Sequence, residues 1–421
     1  MGRIVVLSDL HLGDPMSSLE CEPPGEPDLR WFREALERAG IGRVDYLVLA
    51  GDILDFMVAS FKRSYSVARG FFTALRELDI VDEIIYIPGN HDRDVWDSVQ
   101  KEVNVFRRLR KGKNPEEFPY EQPGVIDNSA GGEGILNLPG VDYAKARKED
   151  RQYGQLFLEG LFPQGESLPI AVMYPNLYVV LPGGRWILVT HGHHFELAWG
   201  FITEAFGELL TRQEEDPPEG TLKWLEECNI PVNSLICTAL GQGGPSTRLL
   251  RRIHAEVKGG GSTETTNVIR AFLKWLDEEM EHGFPLETAQ GMAAEIAENF
   301  VLKELRKHRT SRGSTTFLKD KQRLIERFLE ATRKTVNALN EKVIAEDVDD
   351  YPDMVIFGHT HVPLDAGQPE SVAMPRGSGG AKEIAFLNTG GCLRGETAGM
   401  ICIDEDGACK SLRVTFPAER R

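Results

Sequence analysis

Apolar and polar positions follow two rhythms along this chain, and the rhythm changes near residue 195. Ile4–Leu7, Asp45–Ala50 and Glu83–Ile87 are short runs rich in Ile, Val and Leu, each followed by glycine or polar residues. Such runs predict buried strands. Between them, Leu29–Arg38 sets Trp31, Phe32, Ala35 and Leu36 on one helical side, and Tyr65–Leu78 has amphipathic spacing. The segment up to Ile87 therefore reads βαβαβ, a largely parallel sheet with helices on its faces. Lys111–Gly140, rich in Gly, Pro and polar residues, reads as a long surface excursion. Leu177–Leu181 and Trp186–Thr190, joined by Pro-Gly-Gly-Arg, predict a hairpin.

Beyond it the period becomes helical. Leu222-Trp224-Leu225, Val268–Met280, Ala293–Leu305 and Leu324–Leu339 repeat apolar residues at three- and four-residue spacing. Strands resume at Asp353–Phe357, then Ile384–Leu387, Met400–Asp404 and Leu412–Phe416, with a turn at Asp404–Gly407. This divides the chain into the first part of a core (1–194), a helical insertion or cap (195–350) and a closing part of the core (351–421).

Polar clusters follow the strands. They are Asp9-Leu10-His11, Gly51-Asp52, Gly89-Asn90-His91-Asp92, His191-Gly192-His193 and Gly358-His359-Thr360-His361. In parallel sheets, ligands bind beyond the carboxyl ends of the strands, where the first three clusters fall. Together they supply enough Asp, Asn and His for two divalent cations side by side. Carboxylate, amide and imidazole donors without thiolates suit Mn, Fe or Zn. Asp9 and His11 alternate, so both reach one site only if the strand ends there. Asp52 has two oxygens and can bridge two ions, and the glycine before it permits close backbone approach. Asn90 adds an oxygen without adding charge.

The motifs DxH, GD, GNHD, H and GHxH, in this order, resemble the calcineurin-like metallophosphoesterase superfamily over about residues 1–95, 176–194 and 351–416. The resemblance implies an α/β fold, a four-layer sandwich of two mixed β-sheets flanked by helices, here with a large helical insertion. It implies one metal on Asp9, His11, Asp52 and His361, and a second on Asp52, Asn90, His191 and His359, with Mn²⁺ as the expected ion and Fe or Zn as alternatives. The spacing and the insertion are also similar to bacterial enzymes of the UDP-2,3-diacylglucosamine pyrophosphatase branch. That branch often carries Arg where this chain has His91, and the long Arg93–Gly184 segment is a further departure.

The expected reaction is hydrolysis of a phosphodiester, phosphomonoester or pyrophosphate bond by a hydroxide bridging the two metals. His91 is the candidate to meet the leaving oxygen, with Asp92 placed to hold its imidazole. Two further readings stand beside this one: a metal-bound scaffold without turnover, and a nuclease of the same fold.

Charge narrows the partners. The formal net charge of −17 excludes binding through a broad basic face, so nucleic acid is not the expected partner. Two cations bring about +4 and two ligating aspartates remove about 2, so the site stays positive for a small phosphorylated, even amphiphilic, substrate. No apolar run approaches the roughly 20 residues of a membrane helix, and no signal-peptide pattern precedes Ile4. Six scattered cysteines without a CxxC pair read as reduced thiols in a cytoplasmic protein. The apolar helical faces of the insertion are the expected place for any oligomer contact. Outside the clusters, His254, His282 and His308 read as structural or solvated, and Arg248, Arg251 and Arg252 as a solvated helix face. Asp14 reads as a turn residue, Asp55 as a cap and Cys392 as a buried small hydrophobe. His193 and His194 are alternative ligands or substrate contacts.

Overall fold

The computed structural model describes residues 3–20, 27–129, 134–137, 155–196, 199–200, 203–204, 207, 218–230, 321–340, 344, 348–376, 380–404 and 406–414. Its elements run β1 (Ile4–Leu7), α1 (Arg30–Arg38), β2 (Val44–Ala50), α2 (Phe61–Leu78), β3 (Val81–Ile87) and α3 (Arg93–Gln100). A π-helical stretch, Lys101–Phe106, leads into α4 (Arg107–Arg110). Next come β4 (Gly124–Asp127), β5 (Gly134–Asn137), α5 (Gln155–Glu159), β6 (Ile170–Val172), β7 (Asn176–Val180) and β8 (Trp186–Thr190). Helical residues 222–230 form α6, and α7 is Gln322–Asn340. The chain closes with β9 (Met354–Phe357), β10 (Glu370–Pro375), β11 (Ala381–Asn388), β12 (Ala398–Ile403) and β13 (Cys409–Val414).

The strands form two mixed sheets, one of six strands ordered β13-β12-β1-β2-β3-β6 and one of seven ordered β10-β11-β9-β8-β7-β4-β5. Both faces of β1, β2 and β3 are covered, which is why these strands read as continuous apolar runs. Ile4, Val6, Val48, Ala50, Ile85 and Ile87 point at Leu177, Val179, Ile187, Val189 and Ile356 of the second sheet. The alternate residues Val5, Leu7, Leu47, Leu49, Ile84 and Tyr86 pack with Phe32 and Leu36 of α1 and Phe71 and Phe72 of α2. A one-residue slip of β1 would exchange these two sets, so the double-sided core fixes the register on β2 at Ile4 to Tyr46. That register sets where the following loops begin.

The βαβαβ expectation holds, with β1, β2 and β3 parallel. Helix α2 starts a turn earlier than its apolar period, at Phe61, because the Ser60 hydroxyl accepts from the Arg63 N–H. The hairpin forms, with Asn176 opposite Thr190. The surface excursion over Lys111–Gly140 is corrected: β4 and β5 lie within it, with β4 parallel to β7. Gly124-Val125-Ile126-Asp127 holds only two apolar residues and does not stand out, and Gly124 is needed because a Cβ there would overlap Met173. Strands β6 and β10 likewise carry too few apolar residues to be legible alone.

The chain divides into two compact units, residues 1–241 with 318–421, and residues 242–317. The helices expected at Val268–Met280 and Ala293–Leu305, along with His254, His282, His308, Arg248, Arg251 and Arg252, lie outside the described residues. Two parts of the expected insertion, α6 and α7, belong to the first unit, where Phe328 of α7 packs against Phe195. Among the described residues no helix is long and apolar enough to cross a membrane.

Candidate metal centre

The loops after β1, β2, β3, β8 and β9 carry the five motifs, and the structure brings them together. His11 Nε2 lies 3.0 Å from His361 Nε2, across 350 residues of chain. His191 Nε2 lies 3.0 Å from Asn90 Oδ1, 3.1 Å from His359 Nδ1 and 3.2 Å from Asp52 Oδ2. Asp9 Oδ1 is 3.4 Å from His361 Nε2.

Backbone conformation explains how such short motifs aim so many side chains at one place. Asp9, His11, Asp52, His359 and His361 all have φ between 49° and 65°. That left-handed region is uncommon for residues other than glycine, and each instance costs on the order of 1–3 kcal/mol. Strand β1 ends at Leu7, and the chain then curls under the site, with Asp9 N–H donating to Gly51 O at 3.0 Å and His11 N–H to Asp52 O at 2.9 Å. Close approach has its own requirement. A Cβ on Gly51, whose φ is +88°, would overlap the His191 ring, and one on Gly89 would overlap the Asp52 carboxylate.

Four of the imidazoles, His11, His91, His191 and His361, have their second nitrogen accounted for. His11 Nδ1 meets Asp55 Oδ2 at 2.9 Å, His91 Nδ1 meets the same oxygen at 3.1 Å, and His361 Nδ1 meets Glu396 Oε2 at 2.7 Å. His191 Nδ1 faces Ala50 O at 3.1 Å; His359 Nε2 lies 3.2 Å from Glu196 Oε2, an ion-pair distance without hydrogen-bond geometry. Acceptors on one nitrogen hold the proton there and leave the other lone pair for a cation.

These donors fall into overlapping groups: Asp9, His11 and His361; His11, Asp52 and His91; and Asp52, His191 and His359. Their chemistry fits divalent cations. Ligands about 2.1 Å from an ion and at right angles sit about 3.0 Å apart, which is the spacing of the facing imidazole, amide and carboxylate atoms here. Without cations, protons balance the carboxylates. Burial pushes the His91 and His191 pKa values down, but the charges of Asp55 and Asp52 outweigh it and hold His91 up at about 10 and His191 at about 9. Burial likewise opposes ionisation of Asp52, yet His191 and His91 hold its carboxyl well below the usual range. Cations held at the centre would take the place of the proton on His191 and supply the same charge.

Asp9, His11, Asp52, Asn90 and His191 are buried, while the His91, His359 and His361 side chains are 23%, 9% and 19% exposed. Those three rings are the part of the centre that solvent reaches. His193 and His194 are buried beside the centre and bond to none of its donors; the His193 ring stands 5.8 Å from that of His191.

Two side chains depart from expectation. The carboxylate on the His91 ring is Asp55, not Asp92. Asp92 instead accepts from the backbone N–H groups of Gly89 at 2.6 Å and Ile53 at 2.9 Å, and from the Tyr86 hydroxyl at 2.5 Å. It lashes the β2 loop to the β3 loop, and its oxygens are fully used. Asp55 does cap its segment, taking the Met57 and Val58 N–H groups on Oδ1, while Oδ2 serves both histidines. The spacing Gly51-Asp52-Ile53-Leu54-Asp55 was the available signal. Glu196 and Glu396 had none, because their roles depend on loops of unrelated sequence arriving at His359 and His361. Asp14 does form a turn, accepting from Met16 N–H at 2.8 Å, and Cys392 is buried.

A solved dimetal phosphatase from Danio rerio is similar at 12% identity over 99% of either chain, with a TM-score of 0.27, a likeness too slight to carry weight. No curated protein matches the chain. The calcineurin-like phosphoesterase family matches residues 2–277, more than half of the sequence and four of the five motifs. The fifth, Gly358–His361, reaches His11, Asp52 and His191 of the others through the fold. The chain belongs to the calcineurin-like phosphoesterase family.

Proposed function

We propose that Asp9, His11, Asp52 and His361 hold one divalent cation, that Asp52, Asn90, His191 and His359 hold a second, and that the chain hydrolyses a phosphoester or pyrophosphate bond in a small phosphorylated substrate. The observation that carries this is Asp52. It belongs to donor groups on both sides of the centre, and one of its oxygens lies 3.2 Å from His191 Nε2. Its other oxygen accepts the His91 N–H at 2.8 Å, which fixes the carboxylate between the groups. When bound, two such cations activate water and neutralise charge on phosphoryl oxygens, and manganese suits this mixture of nitrogen and oxygen donors.

The protein's own part in the chemistry centres on His91. Asp55 orients its ring through Nδ1, leaving Nε2, 3.9 Å from Asp52 Oδ2, to give a proton to the leaving oxygen. The Asp55 carboxylate on Nδ1 favours the protonated imidazole, the form that donates. Proton transfer of this kind contributes typically 10²–10⁴-fold.

The test is turnover of bis(p-nitrophenyl) phosphate, p-nitrophenyl phosphate and a nucleotide sugar, each with Mn²⁺ and with Mg²⁺. Turnover that needs the metal, and that falls by about 10²–10⁴-fold in His91→Ala while both ions stay bound, is expected. Bound Mn²⁺ without turnover of any of the three would leave the scaffold reading standing. Loss of the ions in His91→Ala would overturn the division of roles.

A further inference from the structure

Beside the centre lies a second group of donors that the proposed chemistry does not use. His193 and His194 occupy the 3-10 turn after β8, and Glu226 projects from α6. All three are buried, at 2%, 4% and 0% exposure. One donor atom from each lies within 4.8 Å of the others. His194 Nε2 meets Glu226 Oε1 at 2.7 Å, and the Tyr174 hydroxyl takes the other Glu226 oxygen at 2.5 Å. The Arg93 guanidinium directs its Nη1 at Asp97, 2.6 Å away.

His193 is the informative member. Neither of its ring nitrogens has a hydrogen-bond partner among the described residues. A neutral imidazole carries one donor and one acceptor, and buried polar atoms are almost always satisfied. Aromatic packing holds the rings in place: His193 edge-on to Trp199 at 5.6 Å, and His194 stacked on Phe328 of α7 at 5.3 Å. Two imidazoles and one carboxylate, with no thiolate, are the protein ligands of a familiar class of zinc site.

We propose that His193, His194 and Glu226 form a third divalent-cation site, of the zinc type, separate from the pair at Asp52. The ion ties α6 to the turn that follows His191. The site does not depend on the binuclear reading.

The test counts metal on the full-length protein, stripped with chelator, reloaded with Zn²⁺ and desalted, by plasma mass spectrometry. Wild type is expected to hold one ion per chain more than Glu226→Gln, which keeps the shape and the bond to Tyr174. Asp52→Asn is expected to lose ions from the pair and keep this one. Equal zinc content in wild type and Glu226→Gln overturns the third site. Equal content in wild type and Asp52→Asn, with one ion fewer in Glu226→Gln, sinks the pair and leaves the third site standing. If Glu226→Gln does not fold, anomalous scattering at the zinc edge from wild-type crystals decides. A peak between His193, His194 and Glu226 supports the site, and zinc confined to the surroundings of Asp52 refutes it.

Discussion

Asp55→Asn is the most discriminating single change, because one oxygen of Asp55 serves two imidazoles with different proposed tasks. Oδ2 sits 2.9 Å from His11 Nδ1 and 3.1 Å from His91 Nδ1, while Oδ1 takes the Met57 and Val58 N–H groups at 3.0 and 2.7 Å. Asparagine keeps an oxygen for the two backbone donors, so the segment stays capped and the protein folds. Its amide nitrogen then replaces Oδ2. That nitrogen donates, so each histidine must present a lone pair at Nδ1 and carry its proton on Nε2. On His11, the proton would then point at the proposed cation. Outer partners of metal-bound histidines typically contribute 10–100-fold in affinity or activity, which is about 1.4–2.7 kcal/mol. Two readouts separate the two rings. Calorimetric titration of stripped protein with Mn²⁺ reports on His11, with a 10–100-fold weaker first ion expected. The kcat at saturating Mn²⁺ reports on His91 and is expected to fall by a further 10-fold or so. A folded Asp55→Asn variant with wild-type Mn²⁺ affinity and wild-type kcat would refute the reasoning.

The remaining expectations concern the framework around the centre. Asp92→Ala leaves the Gly89 and Ile53 N–H groups unpaired in a buried place, at about 1–3 kcal/mol for each orphaned donor. It should therefore lower the melting temperature sharply where His91→Ala does not, and equal melting curves would sink the lashing role. Gly51→Ala places a methyl group against the His191 ring at a φ of +88°, so bound metal should be lost along with stability, as metal analysis of any soluble fraction would show. In chelator-stripped protein, His91 and His191 have pKa values raised from 6.5 to about 10 and about 9. Their stabilising protons are fully present below pH 6.5 and are lost as pH rises through 9 and 10. Urea midpoints of the stripped protein should accordingly fall over that range, and a flat or rising profile would contradict it.

The set of candidate donors that converge was legible in the sequence, because metal donors are confined to a few residue types and each set follows a recognisable strand. Asp9, His11, Asp52, Asn90, His191, His359 and His361 could all be named from spacing and from the family likeness before any fold was known. The βαβαβ start was legible for a related reason: strands buried on both faces must be apolar throughout, and Ile4–Leu7 and Ile84–Ile87 are. Strands β4, β5 and β6 were not, since each holds only two or three apolar residues, and β4 and β6 pair with strands distant in the chain.

What the sequence determined by itself was the inventory: which atoms can bind a cation, and which strand ends they follow. Tertiary structure alone decided which carboxylate meets which ring. Asp92 follows His91 directly, yet Asp55 holds its imidazole, because Asp92 is drawn to the backbone N–H groups of two converging loops. Glu396 meets His361, and Glu226 meets His194, through loops and helices with no common pattern. A hydrogen bond depends on positions within a few tenths of an ångström, and those are set when the two sheets close over their shared core.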